Sequence, residues 1–374
     1  MATLIPFPYR TVAEISLPSL IKNLYTLRSL SRCEVIPVVK ADAYGHGMVP
    51  VAKALVQRGS CHSLAVATLE EAMELRKKVS GVSNILVLSG FLPHQVDAYT
   101  RYRLIPIIHS LYHLKSLQGR KSLPELHLKV DTGMHRLGIP PDELPEAFKV
   151  LGKMQVKLSG IASHFAESES SLSAFTDQQL ARFEEIVQEM RTRRILHTDA
   201  KIHIANSGGI LRHKLGSSVA IRPGISLYGI SPNPRLAHSS DLVPILEWKT
   251  RILCLREIGR GETVGYGRTY KAKRKEKIAV LPIGYADGYP RLLSNLGEVL
   301  IHGKRAPVRG RVSMDMITVD VTHVPNAKEG GLVTLIGEGG RDRLTSWEIA
   351  TWAQTIPYEV FCGISPRVPR VYLD

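Results

Sequence analysis

The chain has 374 residues, 44% of them hydrophobic, and a net charge of +15. That length exceeds what one core usually holds and predicts two domains, one of them of barrel size. The charge arrives without a helix-turn-helix, RNP or zinc-knuckle pattern, and its densest run, Lys271–Lys277, has no aromatic residue for base stacking, which argues against a nucleic-acid partner. Cys33, Cys61, Cys254 and Cys362 are scattered and form no Cys-x-x-Cys pair, so neither a zinc site nor a disulfide scaffold is expected. With no apolar h-region in the first residues and no apolar run near ~20 residues, the expectation is a cytoplasmic protein without membrane contact or metal.

In chain order, residues 1–12 are expected to pair with a later β domain. Eight β-branched apolar runs then alternate with helical patterns. They lie at Val35–Val39, Leu64–Ala67, Ile85–Leu88, Leu104–Ile108, Leu126–Val130, Leu158–Ser163, Lys201–Ile204 and Val219–Arg222. Segments between them, such as Leu69–Val79 and Gln178–Arg191, place apolar residues at helical spacing. Eight strands with intervening helices predict an N-terminal (β/α)₈ TIM-like barrel over residues 13–240. Beyond Asp241 short runs are punctuated by Gly and Pro, as at Ile278–Pro282, Val299–His302, Ile317–Val321 and Leu332–Ile336. These predict a mainly antiparallel C-terminal β domain over residues 241–374, with the stretch Pro232–Val243 as boundary. The whole is an α/β chain.

Barrel enzymes place their chemistry at the C-terminal ends of the strands. Here those ends carry Lys40, then Lys129, Asp131 and Arg136, then His164, then Asn206 and Ser207, and finally Arg222. Lys40 ends the first run and is followed by Tyr44 and two glycines. A lysine so placed can form a Schiff base with an aldehyde, and pyridoxal 5′-phosphate (PLP) is the usual aldehyde of amino-acid chemistry. Ser207 with Gly208-Gly209, and Arg222-Pro-Gly224-Ile225, offer a hydroxyl and backbone N–H groups to a phosphate after the seventh and eighth strands. Arg136 presents a planar fork suited to oxyanions. Tyr266 lies between two glycines; a phenol acting as base needs a nearby cation or hydrogen-bonded network to ionise.

The string Val38-Val-Lys-Ala-Asp-Ala-Tyr-Gly-His-Gly47 resembles the PLP-lysine motif of the alanine racemases. Leu128–Gly138, Gly265-Tyr-Gly-Arg-Thr269, Pro282–Tyr289, Arg311–Asp315 and Pro357–Arg370 resemble further strings of that family, in family order, so the likeness runs from Glu14 to Tyr372. It departs at His135, where the family usually has a glycine, and at Lys328–Leu332, away from any chemistry. The resemblance implies an isomerase that interconverts L- and D-alanine and supplies D-alanine for peptidoglycan. It implies that Lys40 and Tyr266 are the two bases. It implies PLP contacts from Lys40, Tyr44, Arg136, His164, Asn206, Ser207, Arg222, Gly224, Ile225 and Tyr358, with Arg136 and Met314 toward the substrate. The family's matching lysine is often carbamylated, which marks Lys129. Arg222 would face the pyridine nitrogen, and a guanidinium, having no acceptor, can only donate there. In the family the tyrosine comes from a second subunit, so a homodimer with shared sites is implied. A serine or broad-specificity racemase would share every one of these motifs.

Overall fold

The computed structural model describes Tyr9–Asp374 apart from residues 171–173, His213, Ser217 and Ala237, and without the Ser240 side chain. Residues 1–8 of the expected N-terminal strand thus lie outside the described residues. The chain forms two compact units. One comprises residues up to Pro18, Tyr44–Gly47 and Pro244–Asp374; the other comprises Ser19–Ala43 and Met48–Val243.

The strands run β1 (Thr11–Ser16), β2 (Glu34–Val35), β3 (Ser63–Val66), β4 (Asn84–Val87), β5 (Ile105–Ile108), β6 (His127–Lys129), β7 (Leu158–Ala162), β8 (Leu196–His203) and β9 (Ala220–Ile221). In the barrel unit β3 to β8 pair in parallel in sequence order, and β2 pairs with β9. A parallel bridge from Val38 to Ala65 joins the β2 segment to β3. Backbone bonds from Val219 N to Ile202 O and from Arg222 N to Ala205 O join β9 to β8. Eight strands therefore follow one another around a ring, the expected barrel. β3 and β5 are buried at every position, as strands of a parallel sheet covered on both faces are, so β5 is apolar throughout and β3 is apolar after Ser63.

Strand boundaries differ from the expectation at the first strand. β2 stops at Val35, Pro37 interrupts the ladder, and Lys40 opens a helical turn instead of closing a strand. The helix Leu69–Lys78 begins with a capping box in which Thr68 and Glu71 satisfy each other's backbone N–H, which fixes its start.

The β unit holds the remaining strands: β10 (Leu246–Arg251), β11 (Cys254–Ile258), β12 (Thr263–Val264), β13 (Tyr270–Lys271), β14 (Glu276–Leu281), β15 (Glu298–Ile301), β16 (Lys304–Pro307), β17 (Ile317–Asp320), β18 (Leu332–Gly339), β19 (Asp342–Leu344) and β20 (Arg370–Leu373). A mainly antiparallel sheet runs β16-β15-β18-β10-β1-β20, with β19 on β18; β11-β14-β17 form a second sheet and β12-β13 a hairpin. β1 pairs antiparallel with β10 and parallel with β20. Val12, Ala13 and Ile15 of β1 are fully buried, as are Trp248 and Tyr289.

Candidate active site

Polar side chains gather at the C-terminal ends of the barrel strands, around Arg222. This guanidinium is 5% exposed. It donates through Nη1 to the carbonyl of His203 (2.8 Å) and to His203 Nδ1. Through Nη2 it reaches Ser163 O (2.7 Å), Ile204 O (3.4 Å) and His164 Nδ1 (3.3 Å). Arg222 can only donate, so His203 Nδ1 must accept, and the proton of His203 sits on Nε2. That N–H then donates to His127 Nδ1 at 2.9 Å, which fixes the His127 tautomer as well. Gly160 makes room for this pair, because a Cβ there would lie 2.4 Å from the His127 ring.

Burial, then the Arg222 charge, lowers the pKa of all three histidines. His127 falls to about 3, and His164 and His203 fall well below the ordinary histidine value. The consequence for stability has a definite sign. Below about pH 6.5 the unfolded chain takes up protons at these histidines while the folded barrel does not. Their contribution is therefore complete above that pH and is lost as the pH falls. Thermal melts of the protein from pH 7 to pH 5 are expected to show stability falling by up to about 1.4 kcal/mol per pH unit for each histidine involved. A flat profile would contradict the neutral chain.

Lys129 ends β6, two residues from His127 and so on the same face of the strand. It is 9% exposed. Burial, followed by the charges of Arg222 and Arg136, pushes its ammonium down to about 8; Asp131 opposes and Lys40 adds to the shift. Asp131 organises the following loop. Its Oδ1 accepts the N–H of Gly133 (2.9 Å), Met134 (3.0 Å) and His135 (3.2 Å). Burial pushes its carboxyl up, but these donors outweigh burial and hold it below the usual range. His135 adopts φ 54°, the left-handed conformation that a glycine takes easily, and its side chain is exposed, so the loop keeps its course without a glycine. Arg136 is exposed beyond it.

The Ser207 hydroxyl is buried and receives the N–H of Gly224 (3.1 Å), the N–H of Ser226 (3.2 Å) and the Ser226 hydroxyl (2.9 Å). Asn206 caps the helix Ser207–Leu211 by accepting the Gly209 N–H (3.1 Å). Ile225 begins the next short turn. Donors after the last two strands thus converge on a small polar spot.

The segment after Lys40 is unusual. Ala41, Asp42, Ala43 and Tyr44 all have φ between 51° and 55°, a left-handed helical turn built from L-residues. Each such residue costs about 1–2 kcal/mol, so the surroundings must hold the turn. Nothing in the residue types announced it; only Gly45 and Gly47, at φ 79° and 93°, hint at positive φ nearby.

In the β unit, the Tyr44 and Tyr358 rings lie 6.0 Å apart. Burial, then Tyr358 and Cys362, raises the Tyr44 phenol above its ordinary value. Tyr266 sits between β12 and β13, flanked by Gly265 and Gly267, both at φ 70°. A Cβ at Gly267 would meet the Arg311 guanidinium at 3.0 Å. The Tyr266 side chain is 73% exposed and borders a crevice of about 390 Å³ lined also by Tyr285, Arg291, Arg311 and Met314. Among the described residues no group of three or more potential metal ligands occurs, and no helix is long and apolar enough to cross a membrane.

The sequence motifs pointed to Lys40, Lys129, His164, Ser207 and Arg222, and the barrel brings these to one end. They missed His127, His203 and Ser226. For the two histidines a signal existed: His127 precedes Lys129 by two residues in one strand, and His203 follows Lys201 by two in another, the spacing of side chains that share a strand face.

The family model described as "Alanine racemase, N-terminal domain" matches residues 15–232, and "Alanine racemase, C-terminal domain" matches residues 245–372. The alanine racemase of Halothermothrix orenii is 43% identical over 370 residues, covering 97% of this chain and 96% of that protein. Among solved structures, the Bartonella henselae alanine racemase with covalently bound pyridoxal phosphate superposes with a TM-score of 0.88 at 32% identity, covering 98% of this chain and 100% of the other. The Bacillus anthracis alanine racemase with bound L-Ala-P also gives 0.88, at 33% identity, covering 99% and 96%. On these matches across nearly its full length, the chain belongs to the alanine racemase family.

Proposed function

We propose that this protein interconverts L- and D-alanine with PLP, using Lys40 and Tyr266 as its two bases, and so supplies D-alanine for peptidoglycan. The single observation that carries the reading is the set of donors at the barrel's strand ends, centred on Arg222. Its two Nη groups are committed to carbonyls and histidines, and Nε–H is the one guanidinium donor with no partner among the described residues. A pyridine nitrogen without a proton fits that donor. The polar spot at Ser207, Gly224 and Ser226 fits a phosphate, and Asn206, Ile225, Tyr44 and Tyr358 are assigned to the same cofactor.

Bound PLP supplies an electron sink that acidifies the α-C–H of an amino acid attached to it. Lys40 would hold the cofactor covalently through Nζ. Arg136 would take the substrate carboxylate as a planar fork, and Met314 would bound the side-chain pocket. Inversion needs a proton removed from one face of the α-carbon and one delivered to the other. Tyr266 takes the proton from L-alanine and Lys40 returns one from the opposite side; the roles exchange for D-alanine. His164, neutral and bonded to Arg222, is assigned to the network that assists the phenol.

An exposed tyrosine is a poor base while water surrounds it. The 73% exposure of Tyr266 therefore supports a homodimer in which a second copy of the chain covers it and the sites are shared. The relatives' names favour alanine over serine. None of the four cysteines forms a disulfide, which supports a cytoplasmic setting.

The reading is tested by following the optical activity of L-alanine on adding protein and PLP, with L-serine in parallel. Loss with alanine and a much slower loss with serine is expected. No loss with either would overturn it.

Lys129 carries a further expectation. An ammonium pushed down to about 8 leaves roughly one amine in ten neutral at pH 7. A neutral amine is the form that adds CO₂, and the resulting carbamate would sit among the cations of Arg136, Arg222 and Lys40. Native mass measurement with bicarbonate should show the added mass of one CO₂, absent after Lys129→Ala. A bare amine under both conditions would remove the assignment.

A further inference from the structure

We propose that Glu71, Arg370 and Tyr372 are positioning residues for Lys40: they hold the left-handed turn that follows it and set how firmly the cofactor is retained. The inference rests on the assignment of Lys40 given above. A run of four L-residues at positive φ does not persist unless neighbours fix its backbone groups. In the barrel unit, Glu71 Oε1 accepts the N–H of Ala41 at 2.7 Å. Its other oxygen accepts the N–H of Ala67 (2.8 Å) and Thr68 (3.2 Å), so the carboxylate is anchored to the start of a helix. Asp42 Oδ1 accepts the Met48 N–H at 2.7 Å and closes the turn from within.

The residues that continue the turn, Tyr44–Gly47, cluster with the β unit. There Arg370 donates through Nε to Gly45 O at 3.1 Å, while its Nη groups bind Ile364 O (2.6 Å), Ser365 O (2.6 Å) and Val368 O (2.7 Å). One guanidinium thus ties the Gly45 carbonyl to three carbonyls that follow the helix Pro357–Gly363. Tyr372 donates its hydroxyl to His46 O at 3.1 Å. The fit is close on both glycines. A Cβ at Gly45 would lie 2.2 Å from Phe361 O, and one at Gly47 would lie 1.8 Å from the Tyr372 oxygen. The last strand of the chain and a helix-capping glutamate far away in sequence therefore grip the two ends of one strained turn, and Lys40 is its first residue. None of the three is assigned to the reacting atoms.

The test uses the holoenzyme and the variants Tyr372→Phe, Glu71→Gln, Arg370→Met and Arg370→Lys. Each is loaded with PLP and transferred to cofactor-free buffer. The visible absorbance and circular dichroism of the bound cofactor are followed, and the melting temperature of the cofactor-free protein is measured alongside. Tyr372→Phe and Glu71→Gln should each release cofactor roughly fivefold faster, the effect of one lost hydrogen bond, and Arg370→Met at least about tenfold faster, with Arg370→Lys recovering part. Melting temperatures of the cofactor-free proteins should stay near that of the parent. Release within about twofold of the parent in every variant would overturn the proposal. So would release that rises only in step with a falling melting temperature, the mark of a general structural role. If Arg370→Met fails to fold, Tyr372→Phe and Glu71→Gln decide. Failure of the unsubstituted protein to bind PLP would instead overturn the functional reading itself.

Discussion

Replacing Lys40 with alanine should abolish racemisation of alanine in both directions, by at least about 10⁴-fold. Two losses combine: the covalent hold on the cofactor and the base on one face of the α-carbon. The measurement is the decay of optical activity of L-alanine and of D-alanine under saturating PLP. A companion measurement is the mass of the protein after borohydride treatment, which should show PLP fixed to the parent and not to the variant. The substitution should also act at a distance. The Lys40 charge is among those that depress the Lys129 ammonium, so its removal should move that group back toward the ordinary lysine range. A variant that still racemises, or still fixes PLP, would sink the assignment of Lys40.

Tyr266→Phe should leave cofactor binding intact and slow the removal of the α-proton from L-alanine by about 10²–10⁴-fold, the usual contribution of a positioned general base. Because the two bases serve opposite faces, the loss should be asymmetric. In deuterated water, exchange of the D-alanine α-proton depends on Lys40 and should persist, whereas exchange from L-alanine should nearly stop. Equal rates for both enantiomers would refute the two-base assignment. The flanking glycines make the position sensitive in a second way. At φ 70° a side chain at 265 or 267 is strained, and at 267 it also meets Arg311, so Gly267→Ala should disturb the hairpin that presents the phenol.

Both experiments test residues that were legible before any coordinates. Lys40, Arg136, Arg222 and Tyr266 stand in strings whose residue types serve chemistry, and local strings survive in any fold that uses them. The barrel was legible for a related reason: strands buried on both faces are written as continuous apolar runs, as at Leu64–Val66 and Ile105–Ile108. Even the departure at His135 changed little, because its exposed side chain costs nothing in packing and only the backbone φ had to be met.

The sequence by itself determined the alternation of strands and helices, the change to antiparallel β after the barrel, and the identity of the groups able to do chemistry. Only the tertiary structure decided which of those groups meet. His203 and His127 are 76 positions apart and on strands separated by β7, and their shared proton order exists because the rings meet at 2.9 Å over Gly160, which has no side chain to part them, beside a buried arginine. The left-handed turn after Lys40 was equally silent, since Ala and Tyr disfavour positive φ and a single Asp only tolerates it. Its cause lies in Glu71, 31 residues later than Lys40, and in the last strand of the chain, whose hydrogen bonds outweigh the local preference. Propensity and pattern are properties of neighbours along the chain; strain and tautomers are imposed by neighbours in space.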